Sequence, residues 1–192
     1  MPQKYLEGGS APYKQSERLR IYKQFCDTLL ENGHAYHCFC TADRLKQMRA
    51  SQGSSKHAKT KYDRLCHGLD EKEVQERVES GEPYVVRMFV PRGKTEFKDL
   101  IHGKVIFDND SVDDQVIMKA DGYPTYHFAN VVDDYLMRIT HVIRGEEWLP
   151  STPKHLILYK MFEMDPPQFA HLPLLLNLNG QKLSKRHGDV SV

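Results

Sequence analysis

The sequence lacks any long apolar run. Its 192 residues contain no stretch of the roughly 20 apolar residues that a membrane helix needs, and the N-terminal segment has no apolar signal region. Charge of one sign is also scarce, since 27 Lys and Arg nearly balance 26 Asp and Glu and give a net charge of +1. The sequence therefore predicts a soluble protein without a membrane contact. It also excludes a globally basic nucleic-acid binder, so any RNA contact needs a local patch.

Cysteine is scarce as well. The chain has four cysteines, two of them in Cys38-Phe39-Cys40. So few thiols in a chain of this length fit a reducing compartment, with free thiols or a metal, better than a disulfide framework. What is present, 40% hydrophobic residues, suffices for one domain with a core or for one domain with a sizeable insertion.

Apolar residues recur every three or four positions after Ser16, as on one face of an amphipathic helix. Ser16 is expected to cap this helix, Gly33 to end it, and Cys26 to be a small core residue. The pattern next predicts a strand over 34–40 and a helix that Thr41 caps and that ends near Arg49. A basic loop over 51–61 is expected to follow. A further helix should begin with a capping box formed by Asp70 and Glu73 and end at Gly81. The loop suits either an RNA contact or a solvated insertion.

The pattern changes to β after Pro83. Short alternating segments between turn residues predict strands at 84–90, 95–101, 105–107 and 115–119 in one small antiparallel layer. A helix over 125–134, a strand over 137–143 and a helix beginning at Ser151, Thr152 and Pro153 are expected next. The alternation of strands and helices predicts an α/β nucleotide-binding half-domain. Residues 35–120 are expected to form a smaller lobe inserted into it.

A basic loop bracketed by glycines lies near the C-terminal end. Gly180 and Gly188 flank Lys182 and Lys185, so two ammonium groups can follow charge that develops on a polyphosphate. On charge alone, a solvated Lys/Arg cluster is the alternative. The order of residues favours phosphate binding, because Lys182-Leu183-Ser184-Lys185-Arg186 resembles the KMSKS signature of class I aminoacyl-tRNA synthetases.

The neighbouring residues narrow this resemblance. The apolar run at 171–176 and the pair Gly188-Asp189 resemble the glutamyl-tRNA synthetase version of the signature, and the resemblance extends over 8–192, closest to bacterial-type and mitochondrial enzymes. It implies an α/β fold: part of a class I Rossmann-like catalytic domain with an inserted α+β lobe that binds the tRNA acceptor end. The implied divisions are 1–34 (catalytic domain, first part), 35–120 (inserted lobe) and 121–192 (second part of the catalytic domain).

The resemblance also implies site residues. Tyr126, Asn130 and Arg144 match positions that contact glutamate, and Glu147 matches a residue that contacts ATP. Lys182 and Lys185 would be the catalytic lysines, and the ATP-binding residues would be Glu147, Lys182, Leu183, Ser184, Lys185 and Arg186. From the residues alone, Tyr126 packing, Asn130 capping a helix, and Arg144 pairing with a nearby glutamate remain alternatives, and Trp148 is expected to pack.

A metal site is a further expectation. Zinc prefers four soft or borderline ligands, and the cysteines near residues 38 and 66 offer three sulfurs, with unmetallated thiols as the alternative. Some bacterial glutamyl-tRNA synthetases hold zinc through a Cys-x-Cys, a Tyr and a Cys, which Cys38, Cys40, Tyr62 and Cys66 match. This sequence departs from the family at one position. Family members with a histidine near the third cysteine place it two residues after that cysteine, where this chain has Gly68, whereas His67 directly follows Cys66. Tyr62 is therefore predicted to be the fourth ligand.

The implied reaction joins glutamate and ATP into glutamyl-adenylate and then transfers glutamate to the terminal ribose of tRNA(Glu). Mg²⁺ would accompany ATP, and no side-chain nucleophile is needed. The protein is expected to be a monomer in the mitochondrial matrix, with the bacterial cytoplasm as the alternative.

The resemblance begins after the family's HIGH motif and stops before its anticodon-binding domain. The sequence thus predicts a fragment of the catalytic domain with little or no aminoacylation of its own. Two other functions are considered: a glutamyl-queuosine tRNA(Asp) synthetase, against which the run from Tyr126 to Asn130 argues, and a non-catalytic RNA-binding remnant.

Overall fold

A computed structural model describes residues 11–53 and 60–176. The helices in these ranges are α1 (Leu19–Glu31), α2 (Ala42–Ser51), α3 (Glu71–Glu79), α4 (Tyr126–Leu136) and α5 (Thr152–Met161). The strands are β1 (Ala35–Cys38), β2 (Val85–Met88), β3 (Lys94–Asp99), β4 (Gly103–Asp108), β5 (Val116–Met118), β6 (His141–Gly145) and β7 (Gln168–Leu172). No helix in the described part of the chain is both long and apolar enough to cross a membrane.

The first helix confirms its predicted pattern. Its buried residues, Tyr22, Phe25, Cys26 and Leu29, lie three or four positions apart and enter the main core. Gly33 ends the helix with a φ of +68°, a left-handed conformation that glycine adopts without a steric cost. The predicted cap is wrong: Ser16 lies in a short 3₁₀ turn, and Arg18 occupies the N-cap position.

The two polar caps beyond α1 are confirmed. The hydroxyl of Thr41 accepts a hydrogen bond from the backbone N–H of Arg44 at the start of α2, and the carboxylate of Asp70 accepts one from Lys72 N–H at the start of α3. Glu73 pairs with Arg77 at 3.0 Å, so only the Asp70 half of the predicted capping box is confirmed. The predicted loop after α2 starts later than expected, because α2 continues through Ser51. Residues 54–59 of this loop lie outside the described ranges.

The strands form two sheets rather than one antiparallel layer. One sheet has the order β1-β2-β5 and is antiparallel throughout. The other has the order β4-β3-β7-β6, in which β3 and β4 form a hairpin and β7 runs parallel to both β3 and β6. The single-layer prediction is wrong because alternation fixes which face of a strand is buried but not which strand becomes its neighbour.

The strand after α4 is also displaced from its prediction. It was expected at 137–143, but α4 ends at Leu136 and the backbone turns through Arg138 with a φ of +57° before β6 begins at His141. The apolar residues Met137 and Ile139 belong to this turn, where their N–H groups bond to the last carbonyls of the helix. β6 therefore ends at Gly145, and Arg144 lies at its carboxyl end.

Candidate functional site

Helix α4 starts at the end of the first sheet. A turn at Gly122 (φ +79°) leads to Thr125, whose hydroxyl and N–H bond to the carbonyls of Val116 and Ile117 in β5. These bonds fix where α4 begins, and the helix buries Phe128, Ala129, Val131 and Val132 in the main core. Tyr126 and Asn130, four residues apart, fall outside that buried stripe.

Tyr126 is 54% exposed although it contacts other rings. Its ring centroid lies 5.7 Å from that of Trp148 and 5.4 Å from that of His127. Trp148 packs as expected, but 39% of it also remains exposed. The pair forms an open aromatic wall beside α4, so simple core packing does not account for Tyr126.

Asn130 lies in the middle of α4, so the alternative that it caps a helix is wrong. Its amide nitrogen is 3.5 Å from Oδ2 of Asp134, and its Oδ1 is buried with no hydrogen-bond partner among the described residues. Burial and the nearby Asp133 carboxylate raise the pKa of Asp134 to about 6. Asn130 thus has an acceptor oxygen to offer, and such atoms in proteins are normally satisfied.

Arg144 is held at the carboxyl end of β6, where open α/β sheets commonly bind ligands. Its Nε donates to Nε2 of His171 at 3.0 Å, and its Nη2 donates to the hydroxyl of Thr152 at 2.9 Å. Burial lowers the pKa of Arg144, while the nearby Tyr126 and Asp134 raise it. Trp148, four residues beyond Arg144, contacts Tyr126, so the carboxyl end of β6 lies beside the start of α4.

The two glutamates after Arg144 lie in a 3₁₀ turn, Glu146–Ser151. Glu146 accepts a hydrogen bond from the backbone N–H of Leu174 at 3.3 Å. This carboxylate therefore bonds to the segment after β7 and not to Arg144. Glu147 is exposed, and a Cβ at Gly145 would lie only 2.2 Å from its Oε2. Gly145 therefore leaves the space that the Glu147 carboxylate occupies.

The remaining predicted ATP residues, Lys182, Leu183, Ser184, Lys185 and Arg186, lie outside the described residues. Tyr126 thus lies at the start of α4 and Asn130 one turn further along it, while Arg144 and Glu147 lie at and just beyond the carboxyl end of β6. The role of the lysine loop, 182–186, stays a prediction.

The three cysteines near residues 38 and 66 form a compact cluster. Cys38 ends β1, Cys40 follows it, and Cys66 lies in a 3₁₀ turn, so that the three sulfurs are all within 4.8 Å of one another. The Tyr62 hydroxyl lies 3.4 Å from the Cys38 sulfur and 3.2 Å from the Cys40 sulfur, and the Cys40 and Cys66 sulfurs are 3.5 Å apart. A zinc tetrahedron with bonds of about 2.3 Å has sulfur–sulfur edges of about 3.8 Å, so the four groups fit one ion.

The surroundings of this cluster favour a thiolate at Cys38 but not at its neighbours, because burial raises the pKa of Cys40 to about 11 and also raises the pKa of the Tyr62 hydroxyl. Burial raises the pKa of Cys38, but hydrogen bonds from Tyr62 and the buried Arg87 outweigh it and leave that pKa lowered. The Tyr62 oxygen also accepts the backbone N–H of Cys66 at 3.1 Å. His67 instead stacks on the ring of Phe89 at 4.3 Å, outside the group of sulfurs. The fit therefore supports Tyr62, not His67, as the fourth group.

The sequence did not reveal three residues that hold the site. Asp99 and His171 are fully buried and bonded to each other, and Thr152 contacts both His171 and Arg144. His171 begins the apolar run at 171–176, and nothing in that run indicates a role for the histidine. Asp99 lies 72 residues away in the sequence, and the two residues become neighbours because β3 pairs with β7.

Comparison with known proteins gives consistent results. The model of the family described as tRNA synthetases class I (E and Q), catalytic domain, matches residues 4–192. The glutamate–tRNA ligase of Chlorobium phaeobacteroides is 52% identical over 193 residues, which cover 97% of this chain and 38% of that protein. That of Chlamydia trachomatis serovar L2 is 54% identical over 186 residues, covering 96% of this chain and 37% of the relative.

Solved structures agree. The crystal structure of the glutamate–tRNA synthetase from Elizabethkingia anophelis superposes with a TM-score of 0.84 at 43% identity, over 95% of this chain and 38% of that one. A glutamate–tRNA ligase from Elizabethkingia meningosepticum, solved in complex with its amino acid, gives a TM-score of 0.85 over the same shares. The chain thus spans a little over a third of the length of the relatives it matches, and it belongs to the family of class I tRNA synthetase (E and Q) catalytic domains.

Proposed function

We propose that this chain is the part of a glutamate–tRNA ligase that recognises glutamate and contributes to the ATP site. The named relatives support this, since they are glutamate–tRNA ligases with 52–54% identity to nearly the whole chain. The observation that carries the proposal is the placement of Arg144 at the carboxyl end of β6, with its Nε and Nη2 held by His171 and Thr152. A guanidinium fixed in this way suits the recognition of a carboxylate.

In this proposal Arg144 binds the side-chain carboxylate of glutamate, because the α-carboxylate must stay free to react. The unpartnered Oδ1 of Asn130 accepts from the substrate ammonium group, and Tyr126 closes one wall of the site. The α-carboxylate attacks the α-phosphorus of ATP, and pyrophosphate leaves. The protein acts by positioning the reactants rather than by a side-chain nucleophile.

Glu147 and the loop residues 182–186 complete the ATP site in this proposal, with Lys182 and Lys185 stabilising charge on the phosphates. Mg²⁺ would neutralise part of the phosphate charge when bound with ATP. The adenylate then passes glutamate to the terminal ribose of tRNA(Glu). We assign the acceptor-end contact to the inserted lobe, 35–120, and the substrate site to 121–192, with 1–34 as the first part of the catalytic domain.

We also propose that Cys38, Cys40, Tyr62 and Cys66 hold a structural zinc ion. The distances among their ligand atoms support this, as does the buried Arg87, whose charge lies 4.2 Å from the centre of the Tyr62 ring and offsets an anionic site. The ion would fix β1 to the turn at Leu65–Gly68. We further propose a monomer, and the bacterial cytoplasm rather than the mitochondrial matrix, because the named relatives are bacterial.

The experiment uses a hybrid ligase, in which these 192 residues replace the matching segment of the Chlorobium phaeobacteroides enzyme. The hybrid should glutamylate tRNA(Glu), and Arg144→Lys should raise KM for glutamate about tenfold or more, because lysine lacks the planar fork. Arg20→Lys on the exposed face of α1 is the matched control and should change neither KM nor kcat.

Two outcomes would contradict the proposed function. A folded hybrid that charges tRNA(Asp) bearing queuosine, but not tRNA(Glu), would favour the glutamyl-queuosine alternative. A hybrid without glutamate-dependent pyrophosphate exchange, together with tRNA binding by the 192-residue chain, would favour the RNA-binding remnant.

A further inference from the structure

A buried hydrogen-bond chain lies directly behind Arg144. Asp99 and His171 both have fully buried side chains, and His171 Nδ1 is 2.6 Å from Oδ2 of Asp99. The other oxygen of Asp99 accepts the backbone N–H groups of Ile101 (2.9 Å) and His102 (3.0 Å). Burial raises the pKa of Asp99, but these hydrogen bonds outweigh it and hold the value at about 2. Asp99 is therefore a carboxylate, and it can only accept.

These partners fix the position of the proton on His171. A carboxylate at Nδ1 requires that Nδ1 carries the hydrogen. At the other ring nitrogen, Arg144 Nε lies 3.0 Å away, and a guanidinium N–H can only donate. Nε2 must therefore be the unprotonated acceptor. The Thr152 hydroxyl, 3.2 Å from Nε2, can donate to the same atom while its oxygen accepts from Arg144 Nη2.

The same bonds set the orientation of the guanidinium. Nε and one hydrogen of Nη2 are turned inward to His171 and Thr152, and Nη1 has no hydrogen-bond partner among the described residues. The edge formed by Nη1 and the second hydrogen of Nη2 thus remains for a ligand. Two parallel N–H groups on this edge match a carboxylate in bidentate geometry.

We propose that His171, held in one tautomer by Asp99, is a positioning residue that turns the Nη1–Nη2 edge of Arg144 toward the side-chain carboxylate of glutamate. The inference rests on the proposed function, because it assumes that Arg144 reads glutamate. It adds a second element to the site, since Asp99 ends β3 and reaches His171 through the pairing of β3 with β7.

The β3–β4 hairpin holds this arrangement at several points. Leu100 N–H bonds to the carbonyl of Phe169 at 2.8 Å, and His102 Nε2 donates to the carbonyl of His171 at 3.0 Å. His171 is thus fixed through its backbone and through its ring. Most of the ordering of Arg144 is complete before a ligand arrives, which reduces the entropy cost of binding.

Asp99→Asn is the sharpest variant, because it preserves shape and changes the hydrogen bond. The Asn oxygen can still accept from Ile101 and His102, while its amide would donate to His171 Nδ1. The ring must then carry its hydrogen on Nε2, which faces the Nε–H of Arg144, so that two donors oppose each other. His171→Gln is the second variant, since its amide oxygen can still accept from Arg144.

The first readout is made on the 192-residue chain without substrate. Long-range ¹H–¹⁵N spectra should give His171 as the tautomer with hydrogen on Nδ1, and the Nε–H of Arg144 should be protected from exchange. Asp99→Asn should reverse the tautomer and remove that protection. Asp108→Asn, an exposed Asp on the same hairpin, is the control and should change neither. A wild-type His171 protonated at Nε2, or a rapidly exchanging Arg144 Nε–H, would overturn the proposal.

The second readout is made on the hybrid ligase. Asp99→Asn should raise KM for glutamate by about tenfold to a hundredfold and leave KM for ATP unchanged, because misplacement of a binding group by about 1 Å has effects of this size. His171→Gln should retain more glutamate affinity than His171→Leu. If Arg144→Lys impairs glutamate use while Asp99→Asn and His171→Leu do not, the inference fails and the proposed function stands. If Arg144→Lys has no effect, the proposed function itself fails.

Discussion

In the proposed function, the guanidinium of Arg144 decides how glutamate is bound. Arg144 has five N–H donors, and the fold uses those of Nε and one of Nη2 for His171 and Thr152. A lysine at this position could not keep two fixed bonds and still offer two parallel donors to a ligand. The side chain therefore acts as a rigid fork.

A prediction at the scale of single residues concerns Gly145. The φ of Gly145 is −66°, so an alanine at this position causes no backbone strain. Its Cβ, however, would lie 2.2 Å from the Glu147 carboxylate and must displace it. If Glu147 contacts ATP, the hybrid ligase with Gly145→Ala should have a KM for ATP raised by about threefold to tenfold, with KM for glutamate unchanged.

The control for this prediction is Gly68→Ala. A Cβ at Gly68 meets nothing within 4 Å, so this substitution should leave both KM values unchanged. Equal KM values for ATP in wild type and Gly145→Ala would show that the position of the Glu147 carboxylate does not matter for ATP.

The sequence predicts some of these residues and not others, for a physical reason. A spacing of four predicts only that Tyr126 and Asn130 share a helix face, and the resemblance to glutamyl-tRNA synthetases is what singles out these two residues and Arg144. Asp99 and His171 meet only because β3 and β7 are neighbours, with Asp99 paired with Phe169. No local pattern encodes that pairing, so their bond could not be predicted.

At the scale of elements, a histidine pair joins the two helices that flank the site. His127 on α4 and His155 on α5 have Nδ1 and Nε2 2.9 Å apart. Burial, together with nearby positive charges, lowers the pKa of His127 to about 4 and that of His155 to about 3. Both imidazoles are therefore neutral in the folded protein at neutral pH.

This pair makes the stability of the chain sensitive to acid. In the unfolded chain both imidazoles become protonated below a pKa of about 6.5. In the folded chain His127 stays neutral down to about pH 4 and His155 down to about pH 3. The free energy of unfolding should be insensitive to these groups above pH 6.5 and should fall as the pH drops below it, by at most about 1.4 kcal/mol per pH unit for each histidine. Asp134, with a pKa raised to about 6, opposes part of this loss.

Urea unfolding of the chain at several pH values between 7 and 5 measures the effect. His155→Gln removes the more buried imidazole and should give a smaller loss of stability on acidification, while His141→Gln, exposed on β6, should keep the wild-type slope. An unchanged slope in His155→Gln would mean that His155 does not carry the pH dependence.

The elements themselves were largely predictable, and their assembly was not. Boundary signals located three helices, since Gly33 follows the end of α1, Thr125 precedes α4 and Pro153 lies in the first turn of α5, although the start of α1 predicted at Ser16 is wrong. The β3–β4 hairpin was predicted as two strands, but its place in the second sheet depends on the buried Asp99 and on contacts with β7. Such long-range contacts are invisible to a local pattern.

At the scale of the whole molecule, residues 11–53 and 60–176 contain two separate apolar clusters. The main core joins α1, α4 and α5 to the first sheet, whereas a small cluster gathers Tyr36, Cys38, Tyr62 and Cys66. Its four buried residues and the partly buried hydrophobic residues packed on them form a small core, so a bound metal ion would add to its stability. The proposed zinc would thus stabilise one region of the molecule and not the substrate site.

Metal removal tests this division. With zinc at about 100 times its Kd, binding should stabilise the smaller cluster by about 2.7 kcal/mol, and a chelator should remove that contribution. Amide exchange at Cys66, whose N–H bonds to Tyr62, should accelerate after chelation, while the amides of α4 in the main core should not. Cys40→Ser should abolish zinc binding, and Cys26→Ala, in the main core, should keep it while lowering overall stability. Protein purified without chelator that contains no zinc, or a Cys66 amide that exchanges equally with and without chelator, would show that packing alone holds this cluster.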